Sequence, residues 1–127
     1  MQMIYGIGTD LVETSRIARL LEKYGERFAR RLLTEEEWPE YSRSMQPAMF
    51  LAKRFAAKEA LAKAFGTGIR HPVSLSHIGV THDTLGKPYF KFHPELNILA
   101  QNEGITRHHL SISDELNLAC AFVILEK

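Results

Sequence analysis

The stretch whose reading decides the fold is Pro47-Ala-Met-Phe-Leu-Ala-Lys-Arg-Phe-Ala-Ala-Lys-Glu-Ala-Leu-Ala-Lys-Ala-Phe-Gly-Thr-Gly68. It is rich in strong helix formers, and neither Gly nor Pro interrupts it between its ends. Pro47 suits the first helical turn, where its missing N–H costs nothing. Gly66 suits the position just past the last turn, where a left-handed residue closes the helix. A helix over Pro47 to Phe65 spans roughly 28 Å at about 1.5 Å per residue, enough to cross a small domain. Phe50, Leu51, Leu61 and Phe65 cluster on one side at helical spacing. The opposite side carries Ala52, Ala56, Glu59, Ala60 and Lys63. Glu59 and Lys63 are four apart and therefore neighbours. A carboxylate and an ammonium thus stand on a side paved with alanine, which admits close approach by another chain or a ligand. An exposed ion pair worth only a few tenths of a kcal/mol gives the same pattern. Gly66-Thr67-Gly68 follows its helix instead of preceding it, so it is not a P-loop. Its backbone N–H groups would still offer an anion nest beside Lys63.

The rest of the chain sets bounds. Its 127 residues predict one domain, 1–127, with a modest core. A hydrophobic fraction of 45% with 24% charged residues is that of an ordinary soluble protein. A net charge of +1 gives no reason to expect nucleic acid as a partner. The single cysteine, Cys120, excludes an internal disulfide, fits a reducing compartment and reads as core. No signal-peptide pattern opens the chain, and no apolar run approaches the roughly 18 residues of a membrane span. The expectation is a cytoplasmic protein with no membrane partner. Six histidines invite a zinc reading, but no His-Glu-x-x-His or Cys/His spacing is present.

Met3 to Gly8 reads as a short apolar strand ending at Thr9-Asp10, which puts a carboxylate at a strand end. A turn or capping Asp is the structural alternative. Ile17, Leu20, Leu21 and Tyr24 mark an amphipathic helix begun near Thr14 or Ser15 and stopped at Gly25. Its other face carries Arg16, Arg19 and Lys23, with Arg27, Arg30 and Arg31 following. Such a basic stripe is ordinarily a solvated face. Thr34-Glu-Glu-Glu37 reads as a capping box. Trp38 and Tyr41 face inward after it, and Pro39 keeps that helix short or irregular. Ile69 to Pro72 is a loop. His77 to Thr81 and Tyr89 to Phe92 read as strands about a turn at Asp83-Thr-Leu-Gly86. Pro94 opens a helix ended by Gly104. His109 to Asp114 alternates as a half-buried strand and turns into Leu118 to Leu125. That last run is apolar on both faces, which fits a central strand or one covered by another subunit.

Four motifs carry a resemblance when taken in order: Gly6-Ile-Gly-Thr-Asp10; Phe55-Ala-Ala-Lys-Glu-Ala60 with Lys63-Ala-Phe-Gly-Thr-Gly-Ile69; Leu85-Gly-Lys-Pro88; and His109-Leu-Ser-Ile-Ser113. Together they span nearly the whole chain and resemble the signature of the 4′-phosphopantetheinyl transferases, in particular the small bacterial type. The resemblance implies an α+β fold, with a small antiparallel sheet wrapped around the long central helix. It implies transfer of the 4′-phosphopantetheine arm of coenzyme A to a serine of apo-acyl carrier protein. Holo-acyl carrier protein and adenosine 3′,5′-bisphosphate result, in support of fatty acid biosynthesis. It implies Asp10 and Glu59 as Mg²⁺ ligands and Lys63 as the cation opposite the leaving phosphate. Arg54 and His109 are expected at the 3′-phosphate, with Gly66, Thr67, Gly68, Lys87 and Pro88 bordering the nucleotide. Arg16, Arg19 and Lys23 are expected to dock the acidic carrier protein. At the end of the His109 motif the family often has His or Thr where this chain has Asp114. Small members of the family work as homotrimers with sites at subunit interfaces, which suits the last strand and the alanine side of the central helix. Two other readings fit parts of the pattern: another Mg²⁺-dependent enzyme acting on a nucleotide pyrophosphate, and a binding module that recognises carrier protein without modifying it. The second needs no metal-ligating carboxylates.

Overall fold

A computed structural model describes residues 3–127. The chain runs β1 (Ile4–Glu13), α1 (Thr14–Tyr24), α2 (Glu26–Leu32), a 3-10 turn (Glu35–Glu37), α3 (Trp38–Ser42), α4 (Pro47–Phe65), β2 (Ile78–His82), β3 (Pro88–Phe92), α5 (Pro94–Asn102), β4 (Arg107–Glu115) and β5 (Leu118–Glu126). All strand pairs are antiparallel, so the class is α+β as expected. The sheet is split in two: a three-stranded sheet in the order β1-β5-β4 and a separate β2-β3 hairpin. His108 on β4 joins them, its Nε2 accepting from the Phe90 N–H at 3.0 Å. Burial, and then the neighbouring His109, hold the His108 imidazole below its usual range, which suits a neutral acceptor.

Helix α4 has the bounds its sequence predicts, and Gly66 closes it in the left-handed conformation (φ 81°). Leu51, Leu61 and Phe65 are buried, but so are Ala52, Ala56, Ala60 and Ala64. The helix is buried nearly all round, which makes it the axis of the core. The alanine side is therefore covered by the chain's own strands β1 and β5 and is not open to a neighbour. The reason is in β1. A Cβ on Gly8 would lie 1.9 Å from the Ala60 carbonyl oxygen, and one on Gly6 would lie 1.9 Å from that of Ala64. Two glycines on the strand and two alanines on the helix let the backbones nearly touch.

Two further expectations are corrected. Asp10 sits in the interior of β1, paired with Ala121, because the ladder continues to Glu13 opposite Leu118. Cys120 is half-buried on the outer face of the sheet, since Ala119, Ala121, Val123 and Leu125 take the inward positions of β5. Strand β5 is central to its own sheet, between β1 and β4. Its outer face remains apolar and open: Phe122 is 42% exposed and Leu11, on β1 opposite Cys120, is 64% exposed.

The polar part of the core is a second finding. Thr34 and Glu37 form the predicted capping box, and Glu37 is then buried beneath α4. Its carboxylate accepts from Lys58 Nζ at 2.7 Å, Arg54 Nη1 at 2.9 Å and the Val80 N–H at 3.1 Å. Lys58 has no exposed surface and also donates to the carbonyls of Leu32 and Leu75. Among the described residues no buried side-chain nitrogen or oxygen lacks a partner. Burial pushes the Lys58 ammonium down to about 8, against the pull of Glu37. Burial alone would raise Glu37, but the charge and hydrogen bond of Lys58 hold it below its usual value. Losing one partner of such a network costs about 3–5 kcal/mol, because a buried charge is left uncompensated.

Candidate active site

Residues from both ends of the chain's first half meet where β1 crosses the last turns of α4. Alternation along β1 points Gly6, Gly8 and Asp10 at the helix, and the glycines set how close Asp10 comes. Lys63 Nζ donates to Asp10 Oδ1 at 3.2 Å and to the Thr9 carbonyl at 2.9 Å. Lys63 stands in the last turn of α4, where the helix dipole also favours a cation. Glu59 lies one turn earlier on the same face. Burial, and next the charge of Asp10, push its carboxyl above the usual range, while Lys63 and Arg16 pull it down. Asp10 and Glu59 thus form a carboxylate oxygen donor pair beside Lys63. That is what a hard divalent cation takes. The influence of Arg16 places the start of the basic stripe within electrostatic reach of Glu59. Arg16, Arg19 and Lys23 are all exposed on α1, opposite the buried Ile17.

The remaining predicted residues fall elsewhere. Arg54 is corrected from a phosphate-facing residue to a core one. Its guanidinium is 4% exposed and bound to Glu37, Glu40 and the Val80 carbonyl. The N–H groups of Gly66, Thr67 and Gly68 all donate to Ala62 O, so they satisfy the helix end and form no open nest. These three residues are nonetheless exposed just beyond Lys63. Lys87 and Pro88 close the β2-β3 turn, which Asp83 holds by accepting from the N–H groups of Leu85 and Lys87. Lys87 is exposed. His109 faces away from α4 on the outer side of the sheet, where Nε2 meets Glu126 Oε2 at 2.7 Å. Asp114 pairs with Lys53 at 3.8 Å. One chain therefore unites Asp10, Glu59 and Lys63 but not His109.

Sequence reasoning missed Lys58 and Glu37. The capping box placed Glu37 only at a helix start, and the one early signal for Lys58 was its place within the run Ala56-Ala-Lys-Glu-Ala60, on a helix too apolar to spare a solvent side. It also missed that Thr9 contributes its carbonyl to Lys63.

A family model for the 4′-phosphopantetheinyl transferase superfamily matches residues 6–121. The chain belongs to this superfamily. Among its curated members, a holo-[acyl-carrier-protein] synthase of Nitrosospira multiformis is 94% identical over 125 residues, covering 98% of this chain and all of that protein. The crystal structure of the holo-[acyl-carrier-protein] synthase from Neisseria meningitidis superposes with a TM-score of 0.96 at 54% identity, over 98% of this chain and 100% of the other. That from Bacillus anthracis, solved in complex with coenzyme A (3′,5′-ADP), superposes with a TM-score of 0.81 at 40% identity over 98% of each chain. The matched stretch includes β1 and α4, the elements that carry Asp10, Glu59 and Lys63. No helix among the described residues is long and apolar enough to cross a membrane.

Proposed function

We propose that this chain is a holo-[acyl-carrier-protein] synthase of one domain, working in the cytoplasm. It moves 4′-phosphopantetheine from coenzyme A to a serine of apo-acyl carrier protein. The observation that carries the reading is the meeting of Asp10, Glu59 and Lys63 in a chain of this superfamily. An adaptor has no use for a half-buried pair of metal-ligating carboxylates. In this reading Asp10 and Glu59 hold Mg²⁺. When bound, the ion neutralises the pyrophosphate oxygens of coenzyme A. The serine oxygen forms a bond to the β-phosphorus, and the bond from that phosphorus to the bridging oxygen breaks, releasing adenosine 3′,5′-bisphosphate. The serine proton passes to a water held by Glu59. Lys63 faces the charge that grows on the leaving phosphate, and positioning and charge do most of the work in such transfers. Gly66, Thr67, Gly68, Lys87 and Pro88 border the nucleotide. Arg16, Arg19 and Lys23 steer the acidic carrier protein toward Glu59.

The functional unit in this reading is a homotrimer. Support comes from the open apolar face of the β1-β5-β4 sheet, with Ile7 59% and Leu11 64% exposed. His109 stands on that same face, so a neighbour's His109 completes the nucleotide site that one chain lacks.

The test is a mass spectrum of apo-acyl carrier protein incubated with coenzyme A, Mg²⁺ and this protein. The expected product is carrier protein heavier by one phosphopantetheine on serine. Glu59→Gln and Asp10→Asn should slow its appearance by about 100-fold or more, the scale of losing a charge-stabilising group. Folded wild-type protein that leaves carrier protein unmodified would refute the assignment.

A further inference from the structure

We propose that His71, His77 and Glu95 form a second metal site, of the zinc class, which ties the loop after α4 to the start of α5. One ligand atom from each of the three lies within 4.8 Å of the other two. His71 Nε2 is 3.0 Å from Glu95 Oε2, and the rings of His71 and His77 meet edge to face at 5.4 Å.

The orientation of His77 is what makes this more than a surface cluster. Its Nδ1 lies 2.9 Å from the Pro72 carbonyl oxygen. A carbonyl can only accept, so Nδ1 carries the proton and Nε2 keeps its lone pair. A metal-binding imidazole is normally held this way, by a backbone acceptor on its far nitrogen. The ring is also pinned: His93 stacks on it with centroids 4.2 Å apart. His93 in turn anchors the third ligand, because its Nδ1 accepts from the Glu95 N–H at 3.2 Å at the first turn of α5. A tautomer, a stacked ring and a helix cap thus set two of the three ligands before any ion arrives. His71 is exposed on the loop and closes the set.

Two imidazoles and one carboxylate suit Zn²⁺, with the fourth position left to water. They do not suit Mg²⁺, which prefers oxygen alone. The site is therefore chemically distinct from the Asp10 and Glu59 pair, and its existence does not depend on the transferase reading. Bound there, the ion fastens the 69–77 segment, which follows the Gly66–Gly68 turn, to α5.

Zinc chloride titrated calorimetrically into the full chain in excess Mg²⁺ tests this. One Zn²⁺ per chain is expected, and Co²⁺ in its place should give the visible bands of a tetrahedral site. His71→Ala and Glu95→Gln alter exposed side chains and leave the core intact. Each should weaken Zn²⁺ by roughly tenfold or more, the cost of disturbing a metal's ligand shell. Asp10→Asn should leave the zinc affinity as it was. No zinc uptake in excess Mg²⁺, wild-type affinity in either His71→Ala or Glu95→Gln, or loss of binding in Asp10→Asn would each overturn the proposal.

Discussion

Glu37 is buried beneath α4 and Glu59 is half-buried on it, and their surroundings push the two carboxyls in opposite directions. Glu37 is held low by Lys58 and Arg54 after burial is overcome. Its stabilising contribution is complete above the ordinary value of 4.5 and is lost as pH falls through its depressed folded value. Glu59 is held high by burial and by Asp10. Its ionised form is the disfavoured one there, so ionising it opposes folding slightly unless a cation offsets the charge. Protons and Mg²⁺ therefore compete for Glu59 at a pH where Glu37 still holds the core. The acid limb of kcat/KM should lie above the range of an ordinary glutamate, while the protein remains folded. Raising Mg²⁺ should move that limb to lower pH. Circular dichroism beside the pH–rate profile checks both parts. A limb that coincides with unfolding, or that ignores Mg²⁺, would contradict this role for Glu59.

At the scale of elements, the contact of β1 with α4 sets the site. Gly8→Ala forces a methyl group against the Ala60 carbonyl. The expected cost is about 3 kcal/mol, at the upper end for overpacking, because backbone and not a flexible side chain must give way. Thermal unfolding should show it, and a variant as stable as wild type would mean that the strand does not lie where it is described. This contact also marks how far the sequence could be read. Helix α4, its Pro47 start and Gly66 stop, the capping box and the hairpin follow from local chemistry and were legible. So was the likeness that joined Asp10 to Glu59. Which partner covered the alanine side was not, because small residues announce close approach without saying by what. The extent of β1 was missed because Thr9 and Asp10 look like a turn until β5 is there to pair with them. Arg54 and Lys58 look solvent-facing until Glu37, remote in sequence, is folded under them. His71, His77 and Glu95 have no motif spacing at all, and only the loop and α5 bring them together.

The whole molecule has an inner and an outer sheet face, and the outer one is unfinished. Ile7, Leu11, Leu118 and Phe122 lie exposed there, with His109 beside them. The inner face holds Asp10 toward Glu59 and Lys63. In the proposed homotrimer one chain supplies those three and a neighbour supplies His109, and a closed ring uses up each apolar patch. The measurement that tests this most directly mixes two crippled chains. Glu59→Gln lacks the carboxylate half and His109→Ala lacks the nucleotide half, and each should be nearly inactive alone. After dissociation and reassembly together, some interfaces join an intact Glu59 to an intact His109, so transfer of phosphopantetheine to carrier protein should partly recover. Mixed trimers verified by native mass spectrometry that show no recovery would contradict a site shared between chains.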